Sequence, residues 1–356
     1  MRLLHTADLH LGRKGREEDI WKQWEKIITV AQKEGVNVLV IAGDVFDDGR
    51  AEKEVKEKFC RSLERLTREG MTVFIIPGNH DLRRGNALAG INLPGVKVVF
   101  DYMVVTLGKV TLHLFPFSPQ LDGPRMVQLR KDAAGEYQIG VCHASYVALP
   151  DVFRDLGESQ AIHCPLVSED IVALDFDYLA LGHYHNAKSW QVGKTHCAYT
   201  GSIEPLSFKE TAPRQIFVIE CGHSLDIKLI EIGCQRPYLS YQWQLGVDVE
   251  EKDIEQQLAT LAQRLSPCFL RLTLRGLVKN KLFLKDVILR AQELFQSQGI
   301  AVNFFDETVD LTWVKEHRLS RLFYEICQER AEEDQILWQR VFYRGISLLK
   351  QVEDVD

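Results

Sequence analysis

Short apolar runs alternate with longer amphipathic stretches at the start of this chain, and the two patterns predict different elements. Residues 2–7 read as a strand, 17–34 as a helix, and 36–42 as a buried strand. Residues 52–69 follow as a helix and 71–76 as a strand. Such alternation implies parallel strands joined by crossover helices. From residue 96 the pattern changes to closely spaced strands, at 96–100, 103–107, 110–115, 138–141 and 178–181, then 195–199, 215–220 and 225–231. That is more strand than one doubly wound sheet needs. The expected fold class is therefore α/β, with two packed sheets flanked by helices.

The strand series ends at residues 233–237, which predicts a boundary there. Beyond it, 238–247 reads as a strand, 252–265 as a helix, 268–275 as an alternating strand, 282–298 as a helix and 301–305 as a strand. This is a smaller α/β unit without a ligand-type cluster of its own. The tail, 313–352, predicts two helices broken around Glu332-Glu333-Asp334. Leu319, Leu322, Phe323 and Ile326 form a stripe at i, i+3, i+4 and i+7, and Ile336, Trp338, Val341, Phe342 and Leu349 a broader apolar surface. Such a stripe most often serves as intramolecular core. The expected organisation is 1–233, 237–310 and 311–356.

Composition narrows the class. At 356 residues and 40.8 kDa the chain can bury a full core and a second, smaller one. Hydrophobic content of 46% and charged content of 26% suit a globular protein in water. No apolar run is long enough to predict a membrane span. The N-terminus reaches Asp8 too early for a signal peptide, and eight cysteines without a Cys-x-x-Cys pair fit reduced thiols, so a cytoplasmic location is expected. The net charge of −7 works against phosphate binding. Two bound divalent cations would offset it at the one place where a phosphate must sit.

Five motifs carry candidate chemistry: Asp8-x-His10, Gly43-Asp44-x-x-Asp47, Gly78-Asn79-His80-Asp81, Cys142-His143 and Gly182-His183-x-His185. Each falls where a predicted strand runs out into a loop, and open α/β sheets gather ligands at the carboxyl ends of strands. Residues two apart in extended backbone point the same way, as Asp8/His10 and His183/His185 must to serve one cluster. Mixed oxygen and nitrogen donors without a thiolate fit a two-metal site and favour manganese or iron over a closed structural zinc. Two metals about 3.5–4 Å apart acidify water and clamp phosphoryl oxygens, which is what phosphodiester hydrolysis requires. Asp44, leaving a buried strand directly into a loop, suits the bridging position. His80, beside a ligand, suits proton donation to the leaving oxygen, and Asp47 and Asp81 could orient histidines.

These motifs resemble the successive signatures of calcineurin-like metallophosphoesterases. Within that superfamily, residues 4–12 (LHTADLHLG), 177–183 (DYLALGH) and 201–208 (GSIEPLSF) are similar to DNA-repair exonucleases of the SbcD and YhaO type. The resemblance covers roughly residues 1–233. It implies a two-sheet sandwich flanked by helices, a dimanganese centre with Fe²⁺, Mg²⁺ or Zn²⁺ as alternatives, and a small α/β domain capping the DNA. It also implies a homodimer and an SbcC-like coiled-coil ATPase partner docked on C-terminal helices. Carried onto matching positions, it places Asp8, His10 and His185 on one ion, Asn79, His143 and His183 on the other, and Asp44 between them. Some branches carry a histidine where this chain has Asp47, so that histidine's role does not transfer.

The remaining histidines, His5, His113, His163, His196, His223 and His317, lack a partner motif and read as structural or exposed. Cys142 reads as a buried strand residue. Arg13, Lys14, Arg16, Arg83 and Arg84 follow the metal motifs closely and are candidate phosphate contacts, ordinary solvated charges being the plainer reading. Three functions compete. The first is a metal-dependent DNA exo/endonuclease acting in repair with an ATPase. The second is a small-molecule or cyclic-nucleotide phosphodiesterase, and the third a non-catalytic subunit. Protein phosphatases of the superfamily carry Arg after the second aspartate of the Gly-Asp motif, where this chain has Asp48, so that branch is disfavoured.

Overall fold

The computed structural model describes residues 1–147, 162–246, 249–279, 281–331 and 334–353. Its strands, in chain order, are β1 (Arg2–Thr6), β2 (Val38–Ala42), β3 (Thr72–Ile76), β4 (Val96–Val98), β5 (Met103–Leu107), β6 (Val110–Phe115), β7 (Tyr137–His143), β8 (Tyr178–Gly182), β9 (Lys188–Val192), β10 (Thr195–Tyr199), β11 (Gln215–Cys221), β12 (Leu225–Glu231), β13 (Tyr238–Leu245), β14 (Phe269–Val278) and β15 (Ala301–Asp310). The chain divides into two compact units, Met1–Arg236 and Pro237–Asp356.

The first unit has two six-stranded sheets, in the orders β12-β11-β1-β2-β3-β4 and β5-β6-β7-β8-β10-β9. Strands β1 to β4 are parallel, as are β6, β7, β8 and β10, while β11, β12, β5 and β9 join antiparallel. Alternate side chains of each inner strand go to different cores. Leu3, Val38, Val40 and Ala42 meet Ile139, Val141, Tyr178 and Ala180 between the sheets. Leu4, Leu39 and Ile41 pack outward on Trp24, Ile27, Phe59 and Leu63 of helices Glu17–Lys33 and Lys53–Arg68. On the far side, Leu179 and Leu181 pack on Met126, Ile171 and Leu174 of the short helices Gly123–Leu129 and Ser168–Leu174. The result is four layers, helix–sheet–sheet–helix. Burial on both faces is why these strands read as unbroken apolar runs.

Strand β9 escapes the sequence pattern. It is an edge strand whose residues are exposed or half-buried, so Lys188, Ser189 and Gln191 cost it nothing. The two short helices escape for a related reason, since seven residues give too few turns for a periodic signal.

The second unit contains a parallel sheet, β13-β14-β15, with helices Glu251–Arg264 and Leu282–Ser297 packed around Leu258, Leu270, Leu272, Val287 and Phe295. Strands β14 and β15 run further than the pattern predicts, to Val278 and Asp310. Helices Leu311–Glu316, Arg318–Arg330 and Gln335–Glu353 follow. The break expected at Glu332-Glu333-Asp334 falls partly on residues 332–333, and the side chain of Ile336 likewise lies outside the described residues. The Leu319–Ile326 stripe divides. Phe323 packs on a core of Val314, Cys327, Phe342 and Ile346, whereas Leu319, Leu322 and Ile326 are 51%, 54% and 44% exposed. An i, i+3, i+4, i+7 stripe spans more of the helix surface than this small core covers.

Candidate metal centre

All five motifs leave the carboxyl ends of inner strands: β1, β2 and β3 in one sheet, β7 and β8 in the other. The loops there bend at once. Asp8, His10, Asp44 and His183 all have positive φ, at 52°, 50°, 50° and 109°, a conformation costly for residues with a Cβ. Backbone hydrogen bonds hold these bends: Asp8 N–H donates to Gly43 O at 3.0 Å and His10 N–H to Asp44 O at 3.0 Å. Gly43 and Gly78 have no room for a side chain. A Cβ on Gly43 would overlap the His143 ring, and one on Gly78 would overlap the Asp44 carboxylate.

Polar contacts then tie one sheet to the other. The Asp8 carboxylate accepts from His183 N–H at 3.0 and 3.1 Å. His143 Nδ1 lies 3.0 Å from Ala42 O at the end of β2. A carbonyl oxygen only accepts, so Nδ1 carries a hydrogen, and in the neutral ring the lone pair is on Nε2. His185 follows the same logic, with Nδ1 at 3.2 Å from Glu210 Oε1, whereas His10 Nδ1 lies 3.3 Å from Asp47 Oδ1 without a hydrogen bond to it. All three imidazoles are turned with Nε2 inward.

The inward atoms converge. His10 Nε2 and His185 Nε2 are 3.0 Å apart, and His143 Nε2 lies 2.9 Å from Asn79 Oδ1 and 3.4 Å from Asp44 Oδ2. Asp44 Oδ2 is buried and accepts no hydrogen bond. Three groups bring candidate ligand atoms within 4.8 Å of one another: Asp8/His10/His185, His10/Asp44/His80 and Asp8/Asp44/His143. Two nitrogens bound side by side to one cation at about 2.1 Å would be roughly 3 Å apart, which is the His10–His185 spacing. Ring nitrogens gathered at this spacing and a bare buried carboxylate oxygen are what a divalent cation satisfies, so this donor set fits one. His183 belongs to none of the three groups; its backbone contacts Asp8 and its ring lies 5.3 Å from that of His143.

Without a cation, the buried groups shift one another's protonation. Burial pushes the Asp8 carboxyl up to about 7 against the pull of His143 and His185. Burial also opposes charge on Asp44, but His143, His10 and His80 outweigh it and hold the group well below the usual carboxylate range. Burial would discharge His143, yet Asp44 and then Asp8 raise it to about 9. Burial lowers His10.

His80 stands beside this cluster, its ring centroid 4.9 Å from that of His10 and its Nδ1 2.8 Å from Asp47 O. Its Nδ1–H is therefore engaged, and Nε2 is the atom at which a proton can be exchanged. Asp47 lies 3.3 Å from His10 Nδ1 and also pairs with Arg13 at 3.2 Å. Asp81 departs from expectation. Its carboxylate is fully buried and accepts from Val45, Phe46 and Gly78 N–H at 3.2, 2.9 and 3.0 Å, orienting no histidine but binding the Asp44 loop to the Asn79 loop.

Arg16 is a second correction. Expected at the surface against phosphate, it is 2% exposed and pairs with Glu204 at 2.5 Å and Asp19 at 3.5 Å. Arg16 precedes the helix Glu17–Lys33, whose packing draws the guanidinium inward. Arg13, Arg83 and Arg84 keep 43%, 53% and 64% of their side chains exposed, and Lys14 is exposed. Arg83 and Arg84 lie 3.7 and 3.9 Å from Asp48.

A cavity of about 580 Å³ opens onto the cluster, lined among others by His10, Arg13, Asn79, His80, Arg83 and His185. Seven further lining residues belong to none of the five motifs, among them Phe117, His163 and Glu210. His163 read as structural, yet its ring lies 5.3 Å from that of His183 and its backbone is clamped to Ser145, two residues beyond His143. No spacing rule connects it to the motifs; only the fold does.

Comparison with known proteins agrees with this geometry. The family model for calcineurin-like phosphoesterases matches residues 1–187. The chain is 24% identical to the uncharacterized metallophosphoesterase YhaO of Bacillus subtilis, over 77% of this chain and 71% of that one. It is 28% identical to the DNA double-strand break repair protein Mre11 of Methanopyrus kandleri, over 66% and 58%. It is 25% identical to a subunit of the nuclease SbcCD of Escherichia coli, over 65% and 64%. The chain thus spans less than two thirds of the length of the latter two relatives. With the family match covering more than half of its residues, the chain belongs to the calcineurin-like phosphoesterases, a family that hydrolyses phosphoesters at a dinuclear metal site.

Proposed function

We propose that this protein is a metal-dependent DNA nuclease that hydrolyses phosphodiester bonds, acting in repair with a coiled-coil ATPase partner. The observation that carries this reading is the convergence of the inward Nε2 atoms of His10, His143 and His185 with Asp8 and Asp44 beneath a cavity also lined by His80, Arg13 and Arg83. In it, Asp8, His10 and His185 would hold one ion and Asn79, His143 and His183 the other, with Asp44 available to both. Manganese suits these donors best, and two such cations supply the positive charge that a dianionic phosphoryl transition state requires.

The chain's own groups do the rest. Glu210 holds the His185 ring by Nδ1, and Asp47 faces that of His10. The Asp47 carbonyl fixes His80 through Nδ1, so that Nε2 protonates the departing alkoxide. Arg13 and Arg83 rim the cavity where the flanking phosphates of a strand would pass. Asp81 keeps two ligand loops in register.

The relatives named for double-strand break repair and for nuclease activity support DNA as substrate. The exposed Leu319, Leu322 and Ile326 suit helices that meet an ATPase coiled coil. A homodimer and a cytoplasmic location complete the reading; among the described residues no helix is long and apolar enough to cross a membrane. Incubation of manganese-loaded protein with end-labelled linear duplex, hairpin and circular DNA tests it. Metal-dependent shortening of the linear or hairpin DNA is expected, and no cleavage of any substrate, with or without the ATPase, rejects it.

A further inference from the structure

Glu210 lies 25 residues beyond His185, outside every motif, and its side chain is 1% exposed. Each of its oxygens is used twice. Oε1 faces His185 Nδ1 at 3.2 Å and accepts from Ser207 Oγ at 3.2 Å. Oε2 accepts from Ser202 Oγ at 2.9 Å and Leu206 N–H at 2.9 Å. Arg214 balances the buried charge, its guanidinium 3.6 Å from Oε2, and also grips His185 O at 2.9 Å. Leu206, Ser207 and Glu210 form one wall of the cavity, and His185 lines it too.

We infer that Glu210 is a positioning residue that sets two things with one carboxylate: the ring orientation of His185 and the placement of the 202–207 wall against substrate. Because Nδ1 of His185 donates to Oε1, its Nε2 lone pair is presented inward, and the neighbouring loop is fixed to the same anchor. Glutamine cannot replace it. An amide has one acceptor oxygen, so its NH₂ must face either His185 Nδ1–H and Ser207 or the Leu206 N–H and Ser202. Facing His185, it forces the other tautomer and turns Nε2 into a donor. Facing Leu206, it sets donor against donor and releases the wall.

This inference rests on the metal-centre reading above. The test titrates the whole protein with Mn²⁺, followed by electron paramagnetic resonance, comparing wild type with Glu210→Gln. One of two Mn²⁺ equivalents is expected to weaken roughly 10–100-fold while the other stays within about threefold. With excess Mn²⁺, KM for a phosphodiester is expected to rise more than kcat falls. Unchanged affinity for both equivalents overturns the inference. Should Glu210→Gln fail to fold, the wild type decides: a ¹⁵N–¹H histidine spectrum of the Zn²⁺-loaded protein, assigned with His185→Gln, is expected to show His185 protonated at Nδ1. Protonation at Nε2 overturns it. If the wild type binds two Mn²⁺ and cleaves no DNA, the nuclease reading fails while the titration still judges Glu210.

Discussion

His10 Nε2 and His185 Nε2 face each other at 3.0 Å, and the outer nitrogen of each ring points at a carboxylate, Asp47 and Glu210 respectively. In the tautomers with hydrogen on Nδ1, both Nε2 atoms offer a lone pair to one cation. Chelation of bound metal is therefore expected to lower the melting temperature, and Mn²⁺ to restore it. At a free concentration of 100 Kd the recovery amounts to about 2.7 kcal/mol. Differential scanning calorimetry of chelated and Mn²⁺-supplemented protein measures the effect, and identical transitions would remove the case for a cation here.

His80 is held through Nδ1 by a backbone carbonyl and lines the cavity beside the cluster. His80→Ala is expected to lower kcat by roughly 10²–10⁴-fold. Its affinity for Mn²⁺ is expected to change far less. A variant with wild-type turnover at saturating metal would take His80 out of the mechanism.

The arginines divide into two kinds. Arg13→Ala is expected to weaken DNA binding and reduce the magnitude of the salt-dependence slope by about 1, as loss of one phosphate contact does. Arg16→Ala is expected to act on stability instead, since it strands buried Glu204; removing one partner of such a pair costs about 3–5 kcal/mol. Binding isotherms at several salt concentrations and urea denaturation separate the two. A salt-slope change for Arg16→Ala in folded protein would contradict the assignment.

His5 predicts a pH dependence. It is fully buried between the sheets with Nδ1 2.9 Å from Tyr178 Oη, and burial lowers it to about 3, despite a partly opposing hydrogen bond at Leu181. Between that value and about 6.5 the unfolded chain binds a proton that the folded chain does not. Stability from this group is therefore full above about 6.5 and is lost as pH falls, by about 1.4 kcal/mol per pH unit. His5→Gln, with no titrating ring, is expected to show a correspondingly shallower acid limb in urea denaturation between pH 7 and 5. Parallel limbs would show that His5 is not the titrating group.

Much of this architecture is legible in the sequence, for definite reasons. Inner strands buried on both faces must be apolar throughout, so β1, β2, β3 and β8 announce themselves, and the glycine-led motifs at their ends follow from the crowding at Gly43 and Gly78. What escapes is whatever depends on distant partners. Arg16 looks like a loop cation until Glu204, 188 residues away, is seen to hold it. Asp81 looks like an orienting acid until the Val45 and Phe46 amides are seen to claim it. Glu210 and His163 carry no local signature, because only the fold brings their loops beside His185 and His183. Leu319, Leu322 and Ile326 show the converse, a helical stripe that periodicity assigns to core and the small helical core leaves exposed.

Two cations held by residues from both sheets are expected to support cleavage of phosphodiester bonds. Stoichiometric titration of metal-free protein with Mn²⁺, followed by the rate of cleavage of an end-labelled linear duplex, tests it most directly. Cleavage is predicted to rise until two equivalents are bound and then level off. A rate that saturates at one equivalent, or DNA left intact at two, would contradict it.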